Sequence, residues 1–176
     1  INMYSRFQLA AKYLKYYFTS SNGKGHGTHS PFIFHLITNI LNNRKQYEEY
    51  TRVEKLRSQL LSDDTILKIE DFGAGSTINK TNNRTISSIA KNSAKPKKYG
   101  QLYQRIIDRF QCENILELGT SLGINTLYLA SRTPSRVSTF EGSPAISETA
   151  RALFVAAGAD NISIVTGDID HTLPDH

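Results

Sequence analysis

Ile115-Leu-Glu-Leu-Gly-Thr-Ser-Leu-Gly-Ile-Asn-Thr126 is the stretch on which the fold turns. A short apolar run meets two glycines four residues apart, and a helical pattern opens behind them. The spacing predicts a strand over 114–118, a loop over 119–123 and a helix over 124–131. A strand that feeds a helix through a glycine loop opens a βαβ unit. In open α/β sheets the crevice beyond the strand ends holds the ligand. Gly119 permits a tight turn and a close backbone approach. Gly123 lets the helix start near the strand, where its exposed N–H groups favour electronegative atoms or a carboxylate.

C-terminal to this stretch the alternation continues. A strand is expected over 136–141, a helix over 144–157, a turn over 158–161 and a third strand over 161–166, closed by Gly167-Asp168. Elements of these lengths in this order form parallel βαβ units with right-handed crossovers. Glu141 stands at the tip of the second strand, 22 residues after Gly119. An acid at that place and spacing binds the two hydroxyls of a ribose. The loop lacks the middle glycine of a G-x-G-x-x-G dinucleotide fingerprint, and Glu117 stands two residues before Gly119. An acid there would repel a pyrophosphate but suits an ammonium group. A ligand with both a ribose and an α-amino group is S-adenosylmethionine. An NAD-dependent dehydrogenase is the weaker alternative.

N-terminal to the stretch, residues 1–62 read as a helical extension. Tyr4, Phe7, Ala11, Leu14 and Phe18 recur at helical spacing, and a polar, glycine-rich loop comes next. Ser30-Pro31 reads as an N-cap and first helical residue, opening a helix to about Leu41. A charged helix is expected over 46–61. Residues 63–94 form a connecting segment: a β-like run over 65–72, a Gly73-Ala-Gly-Ser76 stop and a short helix over 84–94. Pro96 and Gly100 punctuate the stretch between that helix and the next. A helix over 102–110 then carries Leu102, Tyr103, Ile106, Ile107 and Phe110 as its apolar stripe.

Of the 176 residues 39% are hydrophobic and 21% charged, which excludes wholesale disorder. No run reaches the ~18 apolar residues of a membrane helix, and no membrane partner is expected. A single cysteine, Cys112, excludes an intramolecular disulfide framework and a Cys-rich zinc site, so a cytoplasmic, reducing compartment is expected. The net charge of +5 is unevenly spread: residues 1–110 hold 18 Lys and Arg against 8 Asp and Glu, and residues 111–176 hold 3 against 8. The basic part is either a solvated surface or an attraction for an anion such as RNA. His26 and His29 stand in the glycine-rich loop, with His35 beyond, but no nearby acid or cysteine completes a ligand set, and no metal is expected.

Glu117-Leu-Gly-Thr-Ser-Leu-Gly123 resembles the first motif of class I S-adenosylmethionine-dependent methyltransferases. Its nearest flavour is the small-molecule O-methyltransferase group, whose loop is similar to E-[IL]-G-T-x-x-G. Pro96-Lys-Lys-Tyr-Gly-Gln-Leu102, Phe140-Glu-Gly142 and Val165-Thr-Gly-Asp-Ile169 resemble further segments of that group. Asp71-Phe-Gly-Ala-Gly-Ser76 and Ser88-Ile-Ala-Lys91 look like a Bacteroidetes-type branch of it. The cofactor resemblance covers about residues 95–170. It implies an α/β, doubly wound Rossmann-like methyltransferase sheet, of which only the first three strands are present, behind a helical N-terminal region. Residues 95–176 would be the N-terminal half of the S-adenosylmethionine-binding domain.

Carried over by position, the resemblance gives Glu117 the methionine amino group. Gly119, Thr120, Ser121 and Gly123 would wrap the methionine, and Thr126 would support its carboxylate. Glu141 takes the ribose hydroxyls, flanked by Gly142 and Ser143, while Asp168 and Ile169 line the adenine. Asn125 stands where that group often has Ser or Thr, a departure from the pattern. The implied activity is methyl transfer to a small-molecule acceptor, with oxygen as the acceptor atom. An RNA methyltransferase, or an RNA-associated protein using residues 1–110, is the alternative. No catalytic base is named. Asp71-Phe-Gly-Ala-Gly75 also resembles an acid-glycine loop, but Lys95-Pro-Lys-Lys98 stands where a second strand should end in an acid, so it reads as a turn of the extension. The resembled fold has seven strands, with the fourth beside the first. A truncated chain is therefore expected, with one edge of the 114–118 strand covered by missing chain or by a second copy.

Overall fold

The computed structural model describes residues 5–19, 29–69, 82–132 and 134–174, and the chain divides into two units, 1–45 and 46–176. In the first unit, Ser5 and Gln8 cap helix α1 (Arg6–Thr19) reciprocally. The Gln8 amide donates to Ser5 Oγ at 3.3 Å, and the Ser5 amide donates to Gln8 Oε1 at 2.9 Å. None of the residues of α1 is buried. Ser30 caps α2 (Pro31–His35) as its sequence predicts, accepting from the Ile33 amide at 3.4 Å. The expected helix to Leu41 continues, but as a wider π-helical turn over Leu36–Leu41, closed by Asn42 N–H to Ile37 O at 3.0 Å. The Thr38 hydroxyl donates to Phe34 O at 2.9 Å, competing for the carbonyl that an α-helix would give to the amide of residue 38.

In the second unit, α3 (Glu48–Leu61) starts with two acids that complement the helix dipole, and it buries Tyr50, Val53 and Leu60. The 65–72 run contributes β1 (Ile66–Lys68), which pairs antiparallel with β2 (Asn83–Thr85); residues 70–81, including the Gly73–Ser76 stop, lie outside the described residues. Helix α4 (Ile86–Ser93) begins two residues later than expected. Thr85 must stay extended to cap it, accepting from the Ser88 amide at 3.2 Å.

Helix α5 (Lys97–Phe110) runs straight through Gly100, where the sequence predicts punctuation. A Cβ at Gly100 would lie 2.3 Å from the Tyr128 ring, so the absent side chain is what lets the two helices approach. The helix also presents a different face from the expected stripe. Gly100, Gln101, Gln104 and Ile107 are buried, whereas Tyr103 and Phe110 stay exposed. A buried hydrogen bond, from Tyr50 Oη to Gln104 Oε1 at 2.6 Å, turns the polar Gln104 inward. An apolar count along one helix does not register such a bond.

From Glu113 the alternation folds as expected: β3 (Asn114–Leu118), α6 (Ile124–Ala130), β4 (Arg136–Glu141), α7 (Pro144–Ala157) and β5 (Ile162–Thr166), with a short α8 (Ile169–Thr172) added. The three strands are parallel in the order β3-β4-β5, with Glu117 opposite Thr139 and Glu141 opposite Thr166. Strand alternation places Ile115, Glu117, Val137, Thr139 and Ile164 on one face. The helices pack on that face around a core that includes Leu122, Leu127, Tyr128, Phe154 and Ile164. The other face bears Leu116 and Leu118, 52% and 53% exposed. Among the described residues β3 has a strand partner on one side only.

Candidate functional site

The ends of β3 and β4 and the loop between β3 and α6 meet at the carboxyl edge of the sheet. The turn is tied to the neighbouring strand: the Gly119 and Thr120 amides both donate to Phe140 O at 2.9 Å. Gly119 has φ +91°, and nothing lies within 4 Å of a Cβ built on it, so the chain turns there beside open space. Gly123 has φ +81°, and a Cβ on it would come 2.5 Å from the Phe154 ring. The close approach it permits is to α7, whereas the sequence points to a helix starting near the strand. Ser121 also takes positive φ, 49°, a position where only short polar side chains or glycine sit with ease.

Glu117 and Glu141 face this turn from adjacent strands. Glu117 Oε1 accepts from Asn125 Nδ2 at 2.7 Å, and its Oε2 accepts from Thr126 Oγ1 at 2.5 Å and Thr139 Oγ1 at 2.8 Å. Thr120 Oγ1 lies 2.7 Å from Thr139 Oγ1. Since Thr139 gives its proton to the carboxylate, Thr120 donates to Thr139. The Thr126 hydroxyl, on a fully buried side chain, therefore acts on Glu117. Glu141 is gripped by backbone: the Ser121 amide donates to its Oε2 at 2.8 Å and the Ser143 amide to its Oε1 at 3.0 Å. Each carboxylate oxygen keeps acceptor capacity for a ligand donor. Gly142 lies between Glu141 and Ser143, which precedes α7 and is almost wholly buried, its Oγ without a hydrogen-bond partner among the described residues.

Asp168 is held locally. It caps α8, accepting from the Asp170 amide at 3.0 Å, and its Oδ2 lies 3.3 Å from His171 Nδ1. Ile169 opens α8. The Gly167 amide donates to Glu141 O at 2.9 Å, which ties this third loop to the tip of β4. A cavity of about 230 Å³ opens beside the turn, lined by Glu117 to Asn125 and, from α4 and α5, by Ala90, Ser93 and Tyr103. Ser93 Oγ lies 2.8 Å from Ser121 Oγ and joins α4 to the loop. A larger cavity of about 800 Å³ lies between α3 and the ends of α6 and α7, lined by Arg52, Lys55, Arg132 and Asn161 and by none of the residues expected to bind ligand.

Two participants escape the sequence reading. Thr139 is the third donor to Glu117, and its signal is a hydroxyl two residues before the terminal acid, on the same face of the strand. Asn125 orients Glu117, and its own Oδ1 is buried without a partner among the described residues. The Asp71–Gly75 loop and His26 lie outside the described residues. His29 precedes the cap of α2, and no group of three metal-ligating side chains occurs among the described residues. No helix among them is long and apolar enough to cross a membrane.

No family model matches the chain, and no curated protein matches it. Solved structures do. An SAH-bound methyltransferase from Podospora anserina aligns with a TM-score of 0.53 at 14% identity, over 100% of this chain and 56% of its own. The fold is that of the Rossmann-like methyltransferases. An O-methyltransferase from Bacillus cereus, in complex with SAH, aligns with a TM-score of 0.50 at 19% identity, over 75% of this chain and 49% of its own. The chain spans about half the length of the structures it matches.

Proposed function

We propose that residues 95–176 are the N-terminal half of an S-adenosylmethionine-binding domain, behind a helical extension over 1–62 and a connecting segment over 63–94. The proposed activity is S-adenosylmethionine-dependent methyl transfer to the oxygen of a small-molecule acceptor. The observation that carries it is Glu141, a carboxylate fixed at a strand tip by two backbone amides and left with an acceptor position on each oxygen. A ribose diol presents two donors at matching separation. Glu117, oriented by Asn125, Thr126 and Thr139, supplies the acceptor for an α-ammonium. Gly119 and Glu117 both line the cavity of about 230 Å³, and nothing lies within 4 Å of a Cβ built on Gly119. Asp168 and Ile169 come after the loop tied to Glu141, where the adenine is proposed to lie.

Bound there, the cofactor supplies an electrophilic methyl group on a sulfonium, and the protein's part is to align it with the acceptor. A dinucleotide fits less well, because the middle loop position is Ser121, whose hydroxyl is joined to Ser93, and Glu117 would face the pyrophosphate. Oxygen as acceptor, the Bacteroidetes-type branch and a cytoplasmic setting rest on the resemblance and on the single Cys112.

The test is calorimetric titration of S-adenosylhomocysteine into the wild type and Glu141→Ala. Micromolar binding is expected, weakened at least about tenfold in the variant, since hydrogen bonds to a charged group contribute about 1.5–3 kcal/mol each. A folded wild-type protein with no affinity, or a Glu141→Ala variant that binds equally well, would overturn the reading.

A further inference from the structure

Charge is divided between the two units. Residues 1–45 contain six Lys and Arg and no Asp or Glu, whereas residues 46–176 contain fifteen and sixteen. The basic unit also displays its apolar side chains. Helix α1 buries none of its 14 residues, and Phe7 and Phe18 are 90% and 79% exposed. At 100° per residue, Gln8, Lys12, Lys15 and Thr19 fall in one narrow polar strip. The rest of the circumference is almost wholly apolar. Phe7, Leu14 and Phe18 lie at one shoulder and Tyr13 and Tyr17 further round, with Arg6 at the first position of the helix. Among the described residues of this unit nothing buries that arc, and an apolar surface of this kind marks a docking face.

The chemistry of that partner can be narrowed. A second copy would bring the same six cations, and its residues 46–176, where fifteen Lys and Arg nearly balance sixteen Asp and Glu, supply little net negative charge to set against them. An anionic partner is favoured. Single-stranded RNA would need aromatic faces free for stacking. Here Tyr13 and Tyr17 stack on each other at 6.4 Å between ring centroids, and Phe18 meets Tyr17 edge-on at 5.5 Å. RNA also has no use for the aliphatic Leu9 and Leu14, each about half exposed. A lipid surface accommodates all of these: Phe and Leu enter the boundary between headgroups and acyl chains, Tyr sits at headgroup level, and Lys reaches the phosphates.

We propose that α1 is an interfacial helix that docks this protein on an anionic phospholipid surface. The expectation of no membrane partner came from spanning length, which a helix lying in the interface does not need. The proposal is independent of the ligand-site reading.

The test is co-sedimentation of the full chain with vesicles of phosphatidylcholine alone or mixed with phosphatidylserine. Two variants are compared with the wild type, Phe7→Ser/Phe18→Ser and Lys12→Glu/Lys15→Glu. Both alter exposed positions only, so the fold is retained, checked by circular dichroism. The wild type is expected to partition onto the phosphatidylserine vesicles and to be released by salt. Each variant is expected to lose about tenfold or more, and phosphatidylcholine alone to retain little. Equal retention by both vesicles, or variants that partition like the wild type, would overturn the proposal. So would tight binding to a homopolymer RNA without vesicle partitioning, or a stable dimer that the Phe variant dissociates while neither vesicle is bound.

Discussion

Gly123 answers two demands at once. Its φ of +81° lies where a side chain is strained, and a Cβ would come 2.5 Å from the Phe154 ring on α7. Gly123→Ala is therefore expected to lower stability by more than ~2 kcal/mol, read as a shift of the urea midpoint at unchanged slope. Gly119 differs although the motif pairs the two. Its φ is also positive, +91°, but nothing lies within 4 Å of a Cβ built on it, so a side chain there would be strained without meeting a neighbour. The sequence spacing identifies both glycines and both acids. It does not reveal that Glu117 is fixed by three side chains, because Thr139 reaches it from the next strand, 22 residues away. Nor does it reveal that the Thr126 hydroxyl, expected to support a ligand carboxylate, donates to Glu117.

Helices α3, α5 and α6 meet through two buried tyrosines. Tyr128 donates to Glu54 Oε1 at 2.8 Å, and Tyr50 to Gln104 Oε1 at 2.6 Å. Burial pushes the Tyr50 phenol up to about 12 from its ordinary 10.0, and burial together with the Glu54 hydrogen bond pushes Tyr128 higher still. A phenol whose folded pKa is raised gives its full stabilisation below pH 10 and loses it as the pH climbs through 12. The urea midpoint is accordingly expected to fall between those two values, with tyrosinate absorbance appearing alongside unfolding. Tyr50→Phe should flatten part of that slope, while lowering stability at neutral pH by about 1–3 kcal/mol, because Gln104 Oε1 is left buried without a donor. These bonds join residues 54 and 74 positions apart in the chain, which is why α5 turns a face that its own apolar pattern does not announce.

For the molecule as a whole, legibility tracks the strength of the local pattern. The parallel pairing of β3, β4 and β5 and the helices between them follow from clear alternation and crossover handedness, and these could be read directly. The antiparallel β1-β2 pair joins strands of three residues each, too short to show a period, and the inward face of α5 depends on contacts with remote segments; neither could be read. The half-exposed Leu116 and Leu118, beside the side of β3 that has no strand partner among the described residues, form an apolar sheet margin of the kind that joins other strands. Self-association that grows with concentration is expected in light scattering, and Leu116→Lys should reduce it. A concentration-independent monomer would remove the edge from consideration. Finally, Glu141 already clasps the amides of Ser121 and Ser143, drawing together two loops that are far apart along the chain. The rim is thus braced before any guest arrives. The binding proposed there would resemble a key entering a finished lock more than fingers closing on a handle, since the disorder that an unbraced rim would surrender on capture has already been given up in folding.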